Sequence, residues 1–312
     1  MEKYFEKWTS AINEITLGAP PSGIVKIGGA AALPFVKGEG YQGNPSALAV
    51  EISDIPPTDW PEPLAAVWRQ VWNDPVAWAK KAEASGADIV LLRLSGANPE
   101  SRDRSADDTA QIARAVSDAV KIPVAVIGCE VLSKDLEIMP AVSHALAGRN
   151  ALIGIATKDN YKTMAAAALA DGHALIAEAP IDINLAKQLN ILISDAGFPV
   201  EKIVVHQTTG ALGYGYEYCY TIMERTRIAG LSGDAMLATP MINFVGAECW
   251  KLKESVTQDA EAPGWGAFQK RGIIWEASCA AAYLEAGADI LVMYHPEALS
   301  AVRGIASRLA GE

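Results

Sequence analysis

After residue 45 the chain repeats one pattern eight times: a short β-rich apolar run, polar loop residues, then an amphipathic stretch ending near glycine. The runs are ALAVEIS (47–53), DIVLLRL (88–94), IPVAVIG (122–128), ALIGIAT (151–157), HALIAEA (173–179), IVVHQTT (203–209), AMLATPM (235–241) and DILVMYH (289–295). Continuous apolar runs, as opposed to alternating ones, are expected of parallel strands covered on the outside by helices. The intervening stretches carry helix signals. Ser105 stands at an N-cap with Asp108 three residues on, and Ile112, Ala113, Val116, Ala119 and Val120 keep one face apolar. Leu185, Leu189, Leu192 and Ile193 do the same before Gly197, a left-handed stop. The final stretch opens on Pro296 and keeps Leu299, Val302, Ala306 and Leu309 on one side.

Eight strand–helix units close most simply into a (β/α)8 barrel of the TIM type, an α/β fold, over residues 46–312. An open doubly wound sheet would show a glycine fingerprint after its first strand, whereas DIPPTDWPEPL follows here. Residues 1–45 form an N-terminal extension with a helix-like start and two apolar runs around Gly28–Gly29, which read as a hairpin plugging the barrel bottom. The first and seventh βα connections are enlarged, at 54–75 and 242–266. Both leave the C-terminal ends of strands, the functional face of such a barrel. Trp60, Trp68, Trp72 and Trp78 crowd the first. A helix packed on the barrel explains most of them, and a partner interface is the sharper alternative.

Composition narrows the function. The 312 residues are half apolar and one-fifth charged, with 26 basic against 37 acidic side chains and a net charge of −11. That balance argues against a nucleic-acid partner, which needs a basic face. No apolar run reaches membrane-spanning length, and the charged start MEKYFEKWTSAINEI lacks a signal core, so the expected location is the cytoplasm. Cys129, Cys219, Cys249 and Cys279 lie far apart, which speaks against an iron–sulfur cluster or zinc held by this chain alone.

Strand ends supply the candidate chemistry: Glu51, Asp54, Arg93, Asn98, Glu130, Lys158, Glu178, Asp182, Gln207, Thr208, Thr209, Asn243, Tyr294 and His295. His295 is the histidine placed after a strand, and its neighbour Pro296 makes helix capping an equal role. Lys158 has the chemistry of a Schiff-base lysine, but TKDNYK reads better as a solvated turn. His206, inside IVVHQTT, reads as a core histidine, and His144 and His173 fall away from the active face. Neither a G-x-S-x-G elbow nor a G-x-x-x-x-G-K-[ST] loop is present.

The stretches ALAVEISDIPPTDWPEPL, DIVLLRLSGANPE, AVIGCE, IGIATKDNYK, VVHQTTGALGYGYEY and ATPMINFVGAECW, in this order and spacing, resemble the small subunit of the corrinoid iron–sulfur protein of the anaerobic acetyl-CoA pathway. The archaeal relative of that subunit is the delta subunit of acetyl-CoA decarbonylase/synthase. The resemblance spans essentially the whole chain. It implies a barrel like that of pterin-binding methyltransferases, paired in a heterodimer with a large subunit that carries a corrinoid and the iron–sulfur cluster. Further implied partners are a methyltetrahydrofolate methyltransferase and carbon monoxide dehydrogenase/acetyl-CoA synthase. The cobalamin signature D-x-H-x-x-G is absent: Asp171 and His173 supply its first half, but Ile176 stands where glycine is required. The chain is then expected to cap the corrinoid without catalysing alone. A barrel top of neutral amides and hydroxyls, with Asn98, Gln207, Thr208, Thr209, Asn243 and His295 as the cofactor-binding set, suits that role. A stand-alone barrel methyltransferase that binds a pterin is the competing reading.

Overall fold

The computed structural model describes residues 4–310. Two short strands, β1 (Glu14–Leu17) and β2 (Val25–Gly28), pair antiparallel with Glu14 opposite Gly28 and Leu17 opposite Val25. Eight units follow. Strand β3 (Ala47–Ser53) leads to α1 (Glu62–Trp68) and α2 (Pro75–Ala84), β4 (Ile89–Arg93) to α3 (Ala106–Ala119), and β5 (Val124–Ile127) to α4 (Leu132–Ala145). Then β6 (Leu152–Ala156) leads to α5 (Tyr161–Asp171), β7 (Ala174–Glu178) to α6 (Ile183–Asp195), and β8 (Ile203–His206) to α7 (Tyr216–Leu231). Last come β9 (Ile242–Asn243) with α8 (Val245–Cys249), α9 (Lys253–Val256) and α10 (Phe268–Glu285), and β10 (Ile290–Met293) with α11 (Pro296–Ala310).

The eight strands are parallel in the order β8-β7-β6-β5-β4-β3-β10-β9. A bridge between Val205 and Met241 draws the two edges together, and the Val205 N–H donates to Pro240 O at 2.8 Å. The result is the expected barrel. Pleating divides each strand between two cores. Ala49, Leu91, Ala125, Leu152, Ile176, Val204, Ile242 and Val292 fill the inside, while Val50, Leu92, Val126, Ile153, Ala177 and Val205 meet the helices. Ile15, Leu17 and Ile27 of the hairpin join the inner cluster beside Ala47 and Ile89 at the N-terminal ends of the strands, so the hairpin stoppers the barrel from below.

Three expectations need correction. Residues 4–13 are not helical. Their backbone bonds to distant segments instead: Ser10 N–H to Leu231 O at 3.0 Å, Ile12 N–H to Ala30 O and Asn13 N–H to Ala238 O, both at 2.8 Å. Once these groups are tied to the barrel they have no helical partners to seek. The hairpin also forms elsewhere than around Gly28–Gly29: Val25–Gly28 pairs backward with Glu14–Leu17, and the second apolar run, after Gly29, is not a strand. The seventh strand is Ile242–Asn243, beyond the AMLATPM run. Asp234 ends that run as a strand, because its carboxylate accepts Met236 N–H at 3.2 Å and its carbonyl accepts Leu237 N–H at 3.0 Å, closing a turn.

Two of the four tryptophans, Trp68 and Trp78, are core. Trp68 and Trp78 are fully buried with ring centroids 6.0 Å apart, and Trp68 Nε1–H donates to Tyr294 O at 2.9 Å. Trp60 packs against Trp78 and Tyr294 at 5.6 and 5.0 Å. Helix α1 ends at Trp68, so Trp72 stands half-buried in the turn that follows.

Candidate functional site

Two residues beyond the last inward apolar side chain, most strands turn polar or aromatic. Glu51 follows Ala49, Arg93 follows Leu91, Glu178 follows Ile176, His206 follows Val204, Phe244 follows Ile242 and Tyr294 follows Val292. The two-residue period of a strand therefore aims all six inward, as one layer over the apolar interior. Their contacts agree. Arg93 Nε–H donates to Glu51 at 2.6 Å, Arg93 Nη1–H pairs with Glu130, and the Tyr294 hydroxyl donates to Glu51 at 3.2 Å. Across the barrel Glu178 lies 2.5 Å from His206 Nδ1, and the His206 ring meets Phe244 edge-on at 4.8 Å.

Burial and charge compete in this layer. Burial opposes the Arg93 cation, yet Glu51 outweighs it and raises the guanidinium's pKa. Burial first, then the Glu51 charge, push the Tyr294 hydroxyl well above its ordinary value, so it stays a donor. Glu178 pays a burial penalty too, but the His206 hydrogen bond and the charges of His206 and Arg93 hold it below the usual carboxylate range.

Thr209 ties His206 to the segment after β8 and to β9. Its Oγ1 receives Phe244 N–H at 3.0 Å and Asn243 Nδ2–H at 3.5 Å, and it lies 3.1 Å from His206 Nε2. His206, read from the sequence as a core residue, is thus the centre of a Glu178–His206–Thr209 chain at the barrel mouth.

Beside this layer, over the C-terminal ends of β5, β6 and β7, opens a cavity of about 340 Å³ with Glu130, Asp135, Asn160 and Glu178 among its walls. Asp135 accepts the N–H groups of Cys129 and Glu130 at 2.7 and 3.1 Å, so it clamps the turn after β5. Gly128 must be glycine there, since a Cβ would sit 2.2 Å from the Asp135 carboxylate. Asn160 is also engaged, accepting Thr157 N–H at 2.7 Å and donating to Ile155 O at 3.0 Å. Glu130 and Thr208 hold positive φ of 65° and 78°, backbone strain of the kind that collects at functional positions.

The six predicted cofactor-binding residues scatter. Thr209 and Asn243 meet, and Thr208 sits half-buried next to them. The Asn243 Oδ1 is buried with no hydrogen-bond partner, and the pleat turns Asn243 toward the helices, opposite to Ile242 and Phe244. Gln207 likewise points outward, donating to and accepting from Thr226 of α7 at 2.9 and 3.0 Å. Asn98 closes a local turn by accepting Glu100 N–H at 2.8 Å. His295 is buried, stacked on Trp250 at 5.7 Å, and accepts Glu297 N–H at 3.1 Å as a helix cap. The mouth is consequently charged where a neutral lining was expected. Strand-end position alone had hidden this, and counting by twos along each strand would have found the layer.

Lys158 is exposed, and His173 is enclosed between Ser143 O at 2.9 Å and Ala151 N–H at 3.2 Å. All four cysteines are buried and free. Among the described residues no group of three or more His, Cys, Asp or Glu side chains is arranged to hold a metal, and no helix is long and apolar enough to cross a membrane.

The closed parallel barrel is the fold of dihydropteroate synthases. The enzyme of Coxiella burnetii, solved in complex with pteroic acid, superposes with a TM-score of 0.56 at 12% identity, covering 86% of this chain and 95% of that one. That of Yersinia pestis with a pterine-sulfa conjugate gives 0.57 at 13%, covering 95% and 100%. At such identity the likeness concerns the fold. Sequence goes further: the model of the CO dehydrogenase/acetyl-CoA synthase delta subunit matches residues 14–307, and the chain belongs to that family. It is 32% identical to the acetyl-CoA decarbonylase/synthase complex subunit delta of Archaeoglobus fulgidus, over 100% of this chain and 71% of that protein. The same subunit of Methanocaldococcus jannaschii is 31% identical, over 97% and 75%.

Proposed function

We propose that this chain is the small subunit of a heterodimeric corrinoid iron–sulfur methyl carrier of the reductive acetyl-CoA pathway, working in the cytoplasm, and that its barrel mouth caps a corrinoid carried by the large subunit. The observation that carries the reading is the family match over residues 14–307. The residues at the mouth fit the group. A corrinoid's rim bears primary amides, which donate hydrogen bonds, and the mouth offers carboxylate oxygens of Glu130 and Glu178 to accept them. When bound, the cofactor supplies the cobalt that carries the methyl group; this chain binds, orients and screens it.

The mouth residues suit a cap better than a catalyst. Glu51, Arg93 and Tyr294 are locked to one another, and His206 has both ring nitrogens engaged, so none of these four is free to act as a base toward a substrate. Methyl transfer requires no base. The methyl donor side would be a methyltetrahydrofolate methyltransferase and the acceptor side carbon monoxide dehydrogenase/acetyl-CoA synthase, with the iron–sulfur cluster on the large subunit.

Co-expression with the large subunit tests the assignment. The expected outcome is a stable one-to-one complex by light scattering, with no folate binding by the isolated chain. A monomer that ignores the large subunit and binds methyltetrahydrofolate tightly would support a stand-alone methyltransferase instead.

A further inference from the structure

One face of α10 gathers the segments that follow β8 and β9. Gly272, Glu276, Cys279 and Tyr283 fall on it at helical spacing. At Gly272 a Cβ would stand 2.4 Å from the Trp250 ring, and Glu276 accepts Trp250 Nε1–H at 2.8 Å, so the end of α8 is pressed onto this face. One turn further, the thiols of Cys249 and Cys279 are hydrogen-bonded to each other, and Cys279 Sγ also accepts Leu212 N–H at 3.2 Å. Tyr283 then grips the peptide of Gly210, accepting its N–H and donating to its carbonyl, each at 2.8 Å.

A buried cysteine usually serves as a small apolar side chain. Two thiols in contact can do more. Their hydrogen bond lowers the Cys279 thiol's pKa, against burial and with help from the Leu212 N–H, while the same bond and then burial push Cys249 well above its ordinary value. Cys279 is therefore the nucleophile and Cys249 the neighbour that keeps its proton. Both sulfurs are buried, yet the backbone over Cys279 belongs to a surface loop: Leu212 is half-buried, and Gly213 and Tyr214 are exposed. Gly213 and Gly215 hold positive φ of 78° and 94° there, with open space around Gly213.

We propose that Cys249 and Cys279 form a reversible dithiol–disulfide pair, a redox-sensitive clasp that peroxide closes between α8 and α10 and that loosens the 210–216 loop as it closes. Cys279 sulfur attacks one peroxide oxygen, the O–O bond breaks, and the departing hydroxide recovers the Cys279 proton as water. Cys249 sulfur then attacks the resulting sulfenic acid; the S–O bond breaks, the S–S bond forms, and hydroxide leaves with the Cys249 proton as a second water. Two thiols lose two electrons and one peroxide gains them. A disulfide sulfur is a poorer acceptor than a thiol held toward its thiolate form, so Leu212 N–H loses its partner.

The full chain tests this directly. It is reduced, exposed in its folded state to excess hydrogen peroxide, then alkylated in denaturant and digested without reductant. The expected product is lighter by two hydrogen atoms before alkylation, joins the peptides holding Cys249 and Cys279, and reverts with dithiothreitol. Amide exchange over 210–216 is expected to quicken by at least about threefold on oxidation. Cys249→Ser should stop the sequence at the Cys279 sulfenic acid, trapped by dimedone, and Cys219→Ser should leave the bridge intact. Four thiols still free after peroxide, a bridge between any other pair, a bridge that forms only in urea, or loop exchange unchanged by oxidation overturns the proposal; the first and last are read on the unaltered chain and need no variant to fold.

Discussion

Asp135 organises the turn that carries Glu130, and its removal should be felt locally and globally. Asp135→Ala orphans the N–H groups of Cys129 and Glu130, an expected loss of about 1–3 kcal/mol per buried unsatisfied donor, read from urea unfolding. A stability within about 0.5 kcal/mol of the natural protein would contradict the clamp. His295 makes a prediction with a sign. Burial lowers its folded pKa from 6.5 to about 4, so its neutral form contributes stability above pH 6.5 that is lost as pH falls toward 4. Glu276 acts oppositely: burial raises its carboxyl from 4.5 to about 7, against the N–H donors of Tyr294, Trp250 and His295, so its favourable contribution is present below pH 4.5 and fades as pH rises through 7. Subtracting the His295→Gln unfolding curve from that of the natural protein isolates the histidine. The difference should diminish between pH 6.5 and 4; a difference independent of pH would refute the buried neutral ring. At this scale the sequence was legible in kind and not in direction. Glu51, Arg93, Glu130, Glu178 and Tyr294 were all recognisable as strand-end groups, but Gln207 and Asn243 were placed at the mouth without regard to the pleat that turns them outward. His206 was missed because an apolar flank, IVV, reads alike on both faces of a buried strand.

Among the elements, the enlarged first connection is a clasp between barrel and helices. Trp78→Ala should cost about 3–5 kcal/mol, since the side chain is fully buried against Trp60 and Trp68, whereas Trp72→Ala, in a half-buried turn, should cost far less. Comparable losses in thermal or urea unfolding would contradict this division. The hairpin is tested by Leu17→Ala, expected to cost about 2–5 kcal/mol because Leu17 belongs to the inner core. Helix signals were easily read: Ser105 accepts Asp108 N–H as an N-cap, Gly197 takes a φ of 93° after α6, and Pro296 opens α11. Those signals are local and chemical. The misplaced elements share the opposite property. Residues 4–13 are held by bonds to Ala30, Leu231 and Ala238, and the seventh strand is set by pairing with β10 and by the turn at Asp234. Long-range partners leave no periodic trace in the segment they organise.

For the whole molecule, eight repeated units sufficed to predict the barrel, because parallel strands sheathed by helices have few ways to close. The bottom is stoppered by the hairpin and the top by a charged layer, with an off-axis cavity beside the mouth. The proposed capping role would place the working surface on the upper rim of this barrel, against a cofactor borne by another chain. Corrinoid release from the large subunit, measured with and without this chain, tests that claim most directly. The account predicts at least about tenfold slower release when the chain is present, about 1.4 kcal/mol of added hold; release at the same rate would contradict it.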